Sequence, residues 1–169
     1  MGERRENEAT LTKNHTTVER KSERELVVTR TVNGPARLVF EAWTKAELFR
    51  RWWVPKSYGL TLLACEMDVR VGGQYRLVFL HGDSTMEFFG TYLEVIPHSR
   101  LVWTNEEGES GKTITTVTFE ENAGKTLVVV DDLYPSKESI DSGSTGAMPE
   151  KLDQLDELLD SLGSSTETK

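Results

Sequence analysis

Three side chains of this sequence have the types needed for acid–base catalysis. His81 and Glu87 flank the turn in the segment HGDSTMEF, and Asp131 is the first of two aspartates that end the segment TLVVVDD. Because side chains alternate across a strand, one of these aspartates points inward. An inward Asp131 near His81 could act as an acid–base pair on a bound substrate. The alternative is that these groups lie at strand ends in water and have no chemical role.

A second candidate for chemistry is the segment TKAELFRRWWVP. Arg50 and Arg51 precede Trp52 and Trp53, and such residues can bind nucleic acid through base stacking and phosphate contacts. However, the formal net charge is −8, and the chain contains no second basic cluster. Adjacent arginines also point about 100° apart on a helix, so both cannot flank one aromatic stripe. We therefore exclude nucleic acid as a partner and predict that both tryptophans face the sheet or a chamber.

The sequence offers no set of metal ligands. Cys65 is the only cysteine, and the three histidines are scattered without ligand spacing, so we expect no metal and no cofactor. No apolar run approaches the length of a membrane span, and the first ten residues lack the apolar core of a secretory signal. We expect a cytoplasmic protein without membrane insertion, as a monomer or homodimer.

Composition and periodicity predict one domain between two tails. Residues 1–23 are polar and nearly free of large apolar side chains, which predicts a flexible tail with a short extended piece near Thr17 and Val18. Residues 24–162 carry the periodic apolar pattern of a folded domain. The polar residues 163–169 read as a second flexible tail, with Gly163 ending the preceding helix.

The sequence pattern in the first part of the domain predicts one strand and two short helices. The β-branched segment ELVVTRTV predicts the strand, and apolar side chains at helical spacing from Pro35 to Trp43 predict a first helix. Thr44 and Glu47 have the spacing of a capping box. We therefore predict a second helix that continues through the tryptophan pair and ends at Pro55.

Strands dominate the rest of the domain until a long final helix. Alternating apolar segments separated by short turns predict an antiparallel meander of six strands, at 60–70, 74–81, 85–96, 100–107, 113–121 and 126–134. The final helix has an acidic face and an apolar stripe of Met148, Leu152, Leu155, Leu159 and Leu162. The fold class is therefore α+β, with a curved antiparallel sheet of about seven strands and a long C-terminal helix packed on it.

Three separated motifs resemble those of a known family. The segment LVFEAWTKAELFRRWWVP resembles a signature in which Phe-x-x-Trp-Thr is followed by Leu and Trp-Trp. MDVRVGGQY resembles an Asp-x-Arg-x-Gly-Gly-aromatic turn, and EVIPHSRLVWT resembles a Pro-x-x-Arg-Leu-Val strand entry. Over about residues 24–162 the chain thus resembles START-like (SRPBCC superfamily) proteins of the type homologous to the activator of heat shock protein 90 ATPase. The resemblance implies the helix-grip fold.

One position departs from that family. Such proteins often carry Gly-Trp at the head of the last helix, where this chain has Ala147 and Met148. If that tryptophan lines the ligand chamber in relatives, the chamber here differs in shape and in stacking capacity.

The resemblance implies a cavity between sheet and long helix that binds a small hydrophobic ligand, such as a lipid or polyketide. We expect a binding protein rather than an enzyme. The alternatives are a cyclase or hydrolase that uses His81, Glu87 or Asp131, and a stress- or chaperone-related protein-interaction module. Because fold alone does not determine function, the choice depends on the site.

Strand and helix periodicity also indicate which residues line the predicted chamber. The alternative is that these side chains pack the core, since core and chamber use the same residue types. An empty cavity costs roughly 24 cal/mol per Å³, so it should persist only where something binds. The predicted ligand-binding residues are Trp43, Trp52, Trp53, Tyr75, Leu77, Phe79, Phe89, Trp103, Phe119, Met148 and Leu152.

Overall fold

One antiparallel sheet organises the chain. The computed structural model describes residues 16–106, 111–137 and 147–167. Its strands are β1 (Thr16–Arg20), β2 (Glu25–Val32), β3 (Thr61–Met67), β4 (Gln74–His81), β5 (Ser84–Ile96), β6 (Arg100–Glu106), β7 (Lys112–Asn122) and β8 (Lys125–Leu133). They pair in the order β1-β2-β8-β7-β6-β5-β4-β3. Neighbouring strands are therefore consecutive in the chain, except for β2 and β8.

The helices occur in two places, after the second strand and after the last strand. Helices α1 (Ala36–Thr44) and α2 (Ala46–Phe49) and a 3₁₀ turn (Lys56–Tyr58) lie between β2 and β3. Helix α3 (Ala147–Glu167) follows β8. This order confirms the predicted α+β helix-grip fold, with eight strands in the described residues rather than about seven.

The additional strand is β1, which lies within the segment predicted to be a tail. Val18 pairs with Val28 in an antiparallel register, and the Arg30 guanidinium donates to the Thr16 hydroxyl at 2.9 Å. A polar edge strand needs no apolar face because main-chain hydrogen bonds hold it to its neighbour. Strand β1 coincides with the short extended piece predicted near Thr17 and Val18. Residues 1–15, also predicted to be tail, lie outside the described residues.

The predicted capping box does not form. Thr44 is the last residue of α1, and its hydroxyl donates to the Phe40 carbonyl at 2.8 Å instead of capping the next helix. Lys45 occupies the N-cap of α2, which ends at Phe49. The tryptophan pair therefore lies in the turn after a four-residue helix rather than inside a longer one.

The final helix differs from its prediction at its end. Helix α3 continues through Gly163 to Glu167, so the described part of the chain has no tail beginning at residue 163.

Helix α3 is held to the sheet by a buried ion pair. Arg30, on the inner face of β2 and 6% exposed, donates to one oxygen of Asp156 at 2.7 and 3.2 Å and also contacts Asp153. The other oxygen of Asp156 accepts the backbone N–H of Asn33 at 2.9 Å. Because both partners are desolvated, each compensates the charge of the other.

A buried amide holds the opposite side of the helix. The Gln154 side-chain N–H groups donate to the carbonyls of Trp52 and Val54 at 2.9 and 2.8 Å. Its carbonyl accepts the backbone N–H of Lys56 at 2.9 Å. One residue of α3 thereby satisfies three main-chain groups of the irregular segment that follows α2.

The outer face of the sheet carries a pair of carboxyl groups. Val28 and Val130 pair on the inner face, so Asp131, which pairs with Val27, lies on the outer face near Glu25. Partial burial, a hydrogen bond with Glu25 and repulsion from that residue together raise the pKa of Asp131 to about 6. Lys21 opposes this shift only in part.

We expect Arg30→Met to lower the free energy of unfolding by about 3 kcal/mol, because Asp156 would keep a buried charge without its partner. Urea denaturation measures this difference. The matched control is Arg70→Met, which removes an exposed ion pair with Asp68 and should cost less than about 1 kcal/mol. Equal losses in the two variants would contradict a special role for Arg30.

Asp131→Asn should stabilise the protein near neutral pH. The folded-state pKa of Asp131 lies above its unfolded value, so the folded state binds the proton more tightly and stability falls as pH rises from about 4 through 6. After allowance for solvent screening, we expect a gain of about 0.5–1 kcal/mol near pH 7. Urea denaturation near pH 4 should show almost no gain, and an equal gain at both pH values would refute the assignment.

Candidate ligand-binding chamber

A cavity of about 530 Å³ lies between the inner face of the sheet, the turn after α2 and the first turns of α3. Its walls are mainly apolar and aromatic, which is typical of small-molecule sites. The predicted ligand-binding residues that line it are Trp43, Trp53, Tyr75, Leu77, Phe79, Trp103 and Met148. Further lining residues that were not predicted include Leu26, Phe49, Met67, Met86, Phe88, Tyr92, Thr115, Asp132 and Lys151.

Three of the predicted residues belong to the packed core instead. Trp52 and Leu152 are fully buried and do not line the chamber, and Trp52 donates its indole N–H to the Ala42 carbonyl at 2.9 Å. Phe119 packs edge-on against Trp43, with ring centroids 6.0 Å apart. These side chains support the chamber wall from behind.

Phe89 lies on the wrong face of the sheet to meet a ligand in the chamber. It is 42% exposed, whereas its neighbour Phe88 lines the cavity. Gly90 pairs with the inward Tyr75, so side chains two positions before and after it, at Phe88 and Tyr92, also point inward. The sequence offers two adjacent phenylalanines, and only the register with β4 decides between them.

The three candidate acid–base residues do not come together. His81 is exposed at the end of β4, and Glu87 contacts Arg76 on the outer face of the sheet. Asp131 lies on β8, which β7, β6 and β5 separate from β4. The proposed pairing of Asp131 with His81 is therefore not present, and none of the three lines the chamber.

The neighbouring aspartate, Asp132, is the carboxyl group on the chamber wall. It pairs with Thr115 across the β7–β8 ladder, and its carboxylate accepts a hydrogen bond from the Thr115 hydroxyl at 2.6 Å. Burial raises the pKa of Asp132, and the hydrogen bond from Thr115 and the charge of Lys151 offset part of this increase. A partly buried carboxylate therefore faces a largely apolar space.

Lys151 enters the chamber from α3, three residues after Met148. Its ammonium nitrogen lies 3.7 Å from the ring centroid of Trp53, in cation–π contact. Burial lowers the pKa of Lys151 to about 8, and the negative charge of Asp132 opposes the shift. Among the described residues, Lys151 makes no ion pair and donates no hydrogen bond.

The wall also carries polar groups of Tyr75, Tyr92 and Trp43. The Tyr75 hydroxyl donates to the Thr104 carbonyl at 2.7 Å. Burial raises the pKa of Tyr92 above its ordinary value. The indole N–H of Trp43 is buried and has no hydrogen-bond partner in the described part of the chain. Asp132 and Lys151 are the acidic and the basic side chain among the lining residues.

Cys65 lies on β3, outside the chamber wall. Its sulfur contacts the Ala46 carbonyl at 3.9 Å and the Met67 sulfur at 3.7 Å. Burial raises the pKa of the Cys65 thiol, and the nearby charge of Arg50 lowers it less. The thiol form therefore predominates, as expected for a structural cysteine.

Among the described residues, no group of three or more His, Cys, Asp or Glu side chains is arranged to hold a metal ion. No helix in the same ranges combines the length and the apolar character needed to cross a membrane.

Comparison with solved structures places this chamber in a known fold. A protein from Rhodobacter sphaeroides superposes with a TM-score of 0.79 at 19% identity, over 87% of this chain and 99% of that chain. One from Staphylococcus epidermidis gives 0.71 at 27% identity, over 86% and 94%. One from Arthrobacter aurescens gives 0.75 at 18% identity, over 86% and 91%.

The sequence itself matches one family. No curated protein matches the chain at a significant level. The model of the family described as "Activator of Hsp90 ATPase homolog 1-like protein" matches residues 33–160, which extend from the turn before α1 to the last part of α3. With more than half of the chain matched and the helix-grip architecture in place, the chain belongs to the activator of Hsp90 ATPase homolog 1-like family.

Proposed function

We propose that this protein binds a small apolar or aromatic molecule, such as a lipid or polyketide, in the chamber between the sheet and α3. The observation that carries the proposal is an aromatic-lined cavity of about 530 Å³ beside a core of fully buried apolar side chains. A gap of this size forfeits many dispersion contacts, so a ligand that fills it would recover them.

Two other functions find less support in the geometry. Catalysis by His81, Glu87 or Asp131 would require these groups to face a common substrate, and none of them lines the chamber. A docking patch formed by Trp52 and Trp53 would require exposed indoles. Trp52 is fully buried, and Trp53 belongs to the chamber wall.

Native mass spectrometry of freshly purified protein tests the proposal directly. A co-purified small molecule that remains bound under gentle ionisation and is released by denaturation would support it. Titrations with fatty acids, flavonoids and polyketides can then be monitored by tryptophan fluorescence, because Trp43, Trp53 and Trp103 line the cavity. Absence of a co-purified molecule together with unchanged fluorescence across the panel would overturn the proposal.

Met148→Trp should weaken binding of any such ligand by about tenfold or more, because the larger side chain occupies part of the chamber. Equilibrium dialysis of a ligand found in the panel measures the loss. Val71→Trp is the matched control, since Val71 is 64% exposed and lies outside the chamber. Equal affinity of the two variants would mean that the ligand binds elsewhere.

A further inference from the structure

The ammonium group of Lys151 lacks an acceptor inside the chamber. It contacts the face of Trp53, and its N–H donors make no hydrogen bond to a described residue. Lys151 is partly buried, and an ammonium group partly removed from water needs hydrogen-bond acceptors to offset the lost hydration. The π face supplies electrostatic attraction but cannot replace several directed bonds.

Asp132 has the complementary deficit. One of its oxygens accepts the Thr115 hydroxyl, and the other accepts no hydrogen bond from a described residue. Asp132 and Lys151 do not form an ion pair with each other, although each charge acts on the pKa of the other. The chamber therefore presents an unused donor and an unused acceptor on walls contributed by α3 and β8.

The charges on these walls discriminate between ligand end groups. An anion would pair with Lys151 but would place a second negative charge beside Asp132. A cation would suit Asp132 but would repel Lys151. An ether or ketone accepts from Lys151 and leaves the free oxygen of Asp132 unsatisfied, which is costly in an apolar site. A neutral hydroxyl both accepts and donates, so it matches the two groups together.

We propose that the chamber selects a ligand whose apolar or aromatic body carries a neutral hydroxyl group, which accepts a hydrogen bond from Lys151 and donates one to Asp132. This inference rests on the proposed binding function and adds the chemical class of the ligand. Burial lowers the pKa of Lys151 and raises that of Asp132, because removal from water disfavours the charged form of each group.

Four derivatives with the same naphthalene body test this selection by isothermal titration calorimetry. They are 2-naphthol, 2-methoxynaphthalene, 2-naphthoate and 2-(aminomethyl)naphthalene, which present a hydroxyl, an acceptor alone, an anion and a cation. We expect 2-naphthol to bind about tenfold or more tightly than 2-methoxynaphthalene, the difference expected for one hydrogen bond to a charged group. The two charged derivatives should bind more weakly than 2-naphthol.

Variants of the two anchoring residues should shift the preference in opposite directions. Asp132→Asn removes the negative charge and should improve binding of 2-naphthoate relative to 2-naphthol. Lys151→Met removes the positive charge and should improve binding of 2-(aminomethyl)naphthalene. The control is Lys56→Met, because Lys56 is exposed and lies outside the chamber, and it should leave the order unchanged. Circular dichroism confirms that each variant is folded.

The outcomes separate this inference from the proposed function. If all four derivatives bind with similar affinity, or if 2-naphthoate binds tightest to the unmodified protein, the hydroxyl selection is wrong while binding in the chamber stands. A preference order that neither Asp132→Asn nor Lys151→Met changes has the same consequence. If none of the four binds and no ligand co-purifies, both the inference and the proposed function fall.

Discussion

The position of helix α3 above the sheet is the constraint on which the chamber depends. Buried polar contacts fix it on both sides: Arg30 with Asp156 toward β2, and Gln154 toward the segment after α2. Directed bonds of this kind determine where a helix lies more narrowly than apolar packing does, because each has a short and specific geometry. The later turns of α3 bury Leu155 and Leu159 completely, and its first turns remain over open space.

The tryptophan pair shows how one short segment serves both core and chamber. Trp52 is fully buried and packs edge-on against Trp43, whereas Trp53 stacks on Phe49 and receives the ammonium of Lys151. The two adjacent side chains point in different directions, so one indole meets the core and the other meets the chamber. The Gln154 amide satisfies the carbonyls that this turn leaves free. The chamber wall and the attachment of α3 are therefore parts of the same local structure.

Much of the fold could be predicted from the sequence, because period-two alternation and turn residues mark the strands of a meander. The chamber-facing residues of β4 follow from the same alternation, as Tyr75, Leu77 and Phe79 show. Where a strand is apolar on both faces, alternation cannot choose. The predicted inward residues are Phe89 on β5 and Asp131 after a run of three valines, yet strand pairing turns the neighbouring Phe88 and Asp132 inward. Lys151 follows Met148 by three residues, a spacing that places both on one side of a helix. The many charged residues of the same helix make this lysine look like part of its solvent-exposed face.

An open sheet also has two unpaired edges, and each is a template on which another chain could add a strand. Strand β1 is only five residues long and carries Glu19 and Arg20. At the other edge, the Arg50 guanidinium lies 3.4 Å from the Leu62 carbonyl of β3. Short length and charge at one edge, and an occupied carbonyl at the other, oppose edge-to-edge aggregation. The arginine beside the tryptophans thus contributes to keeping separate copies of the chain from joining their sheets.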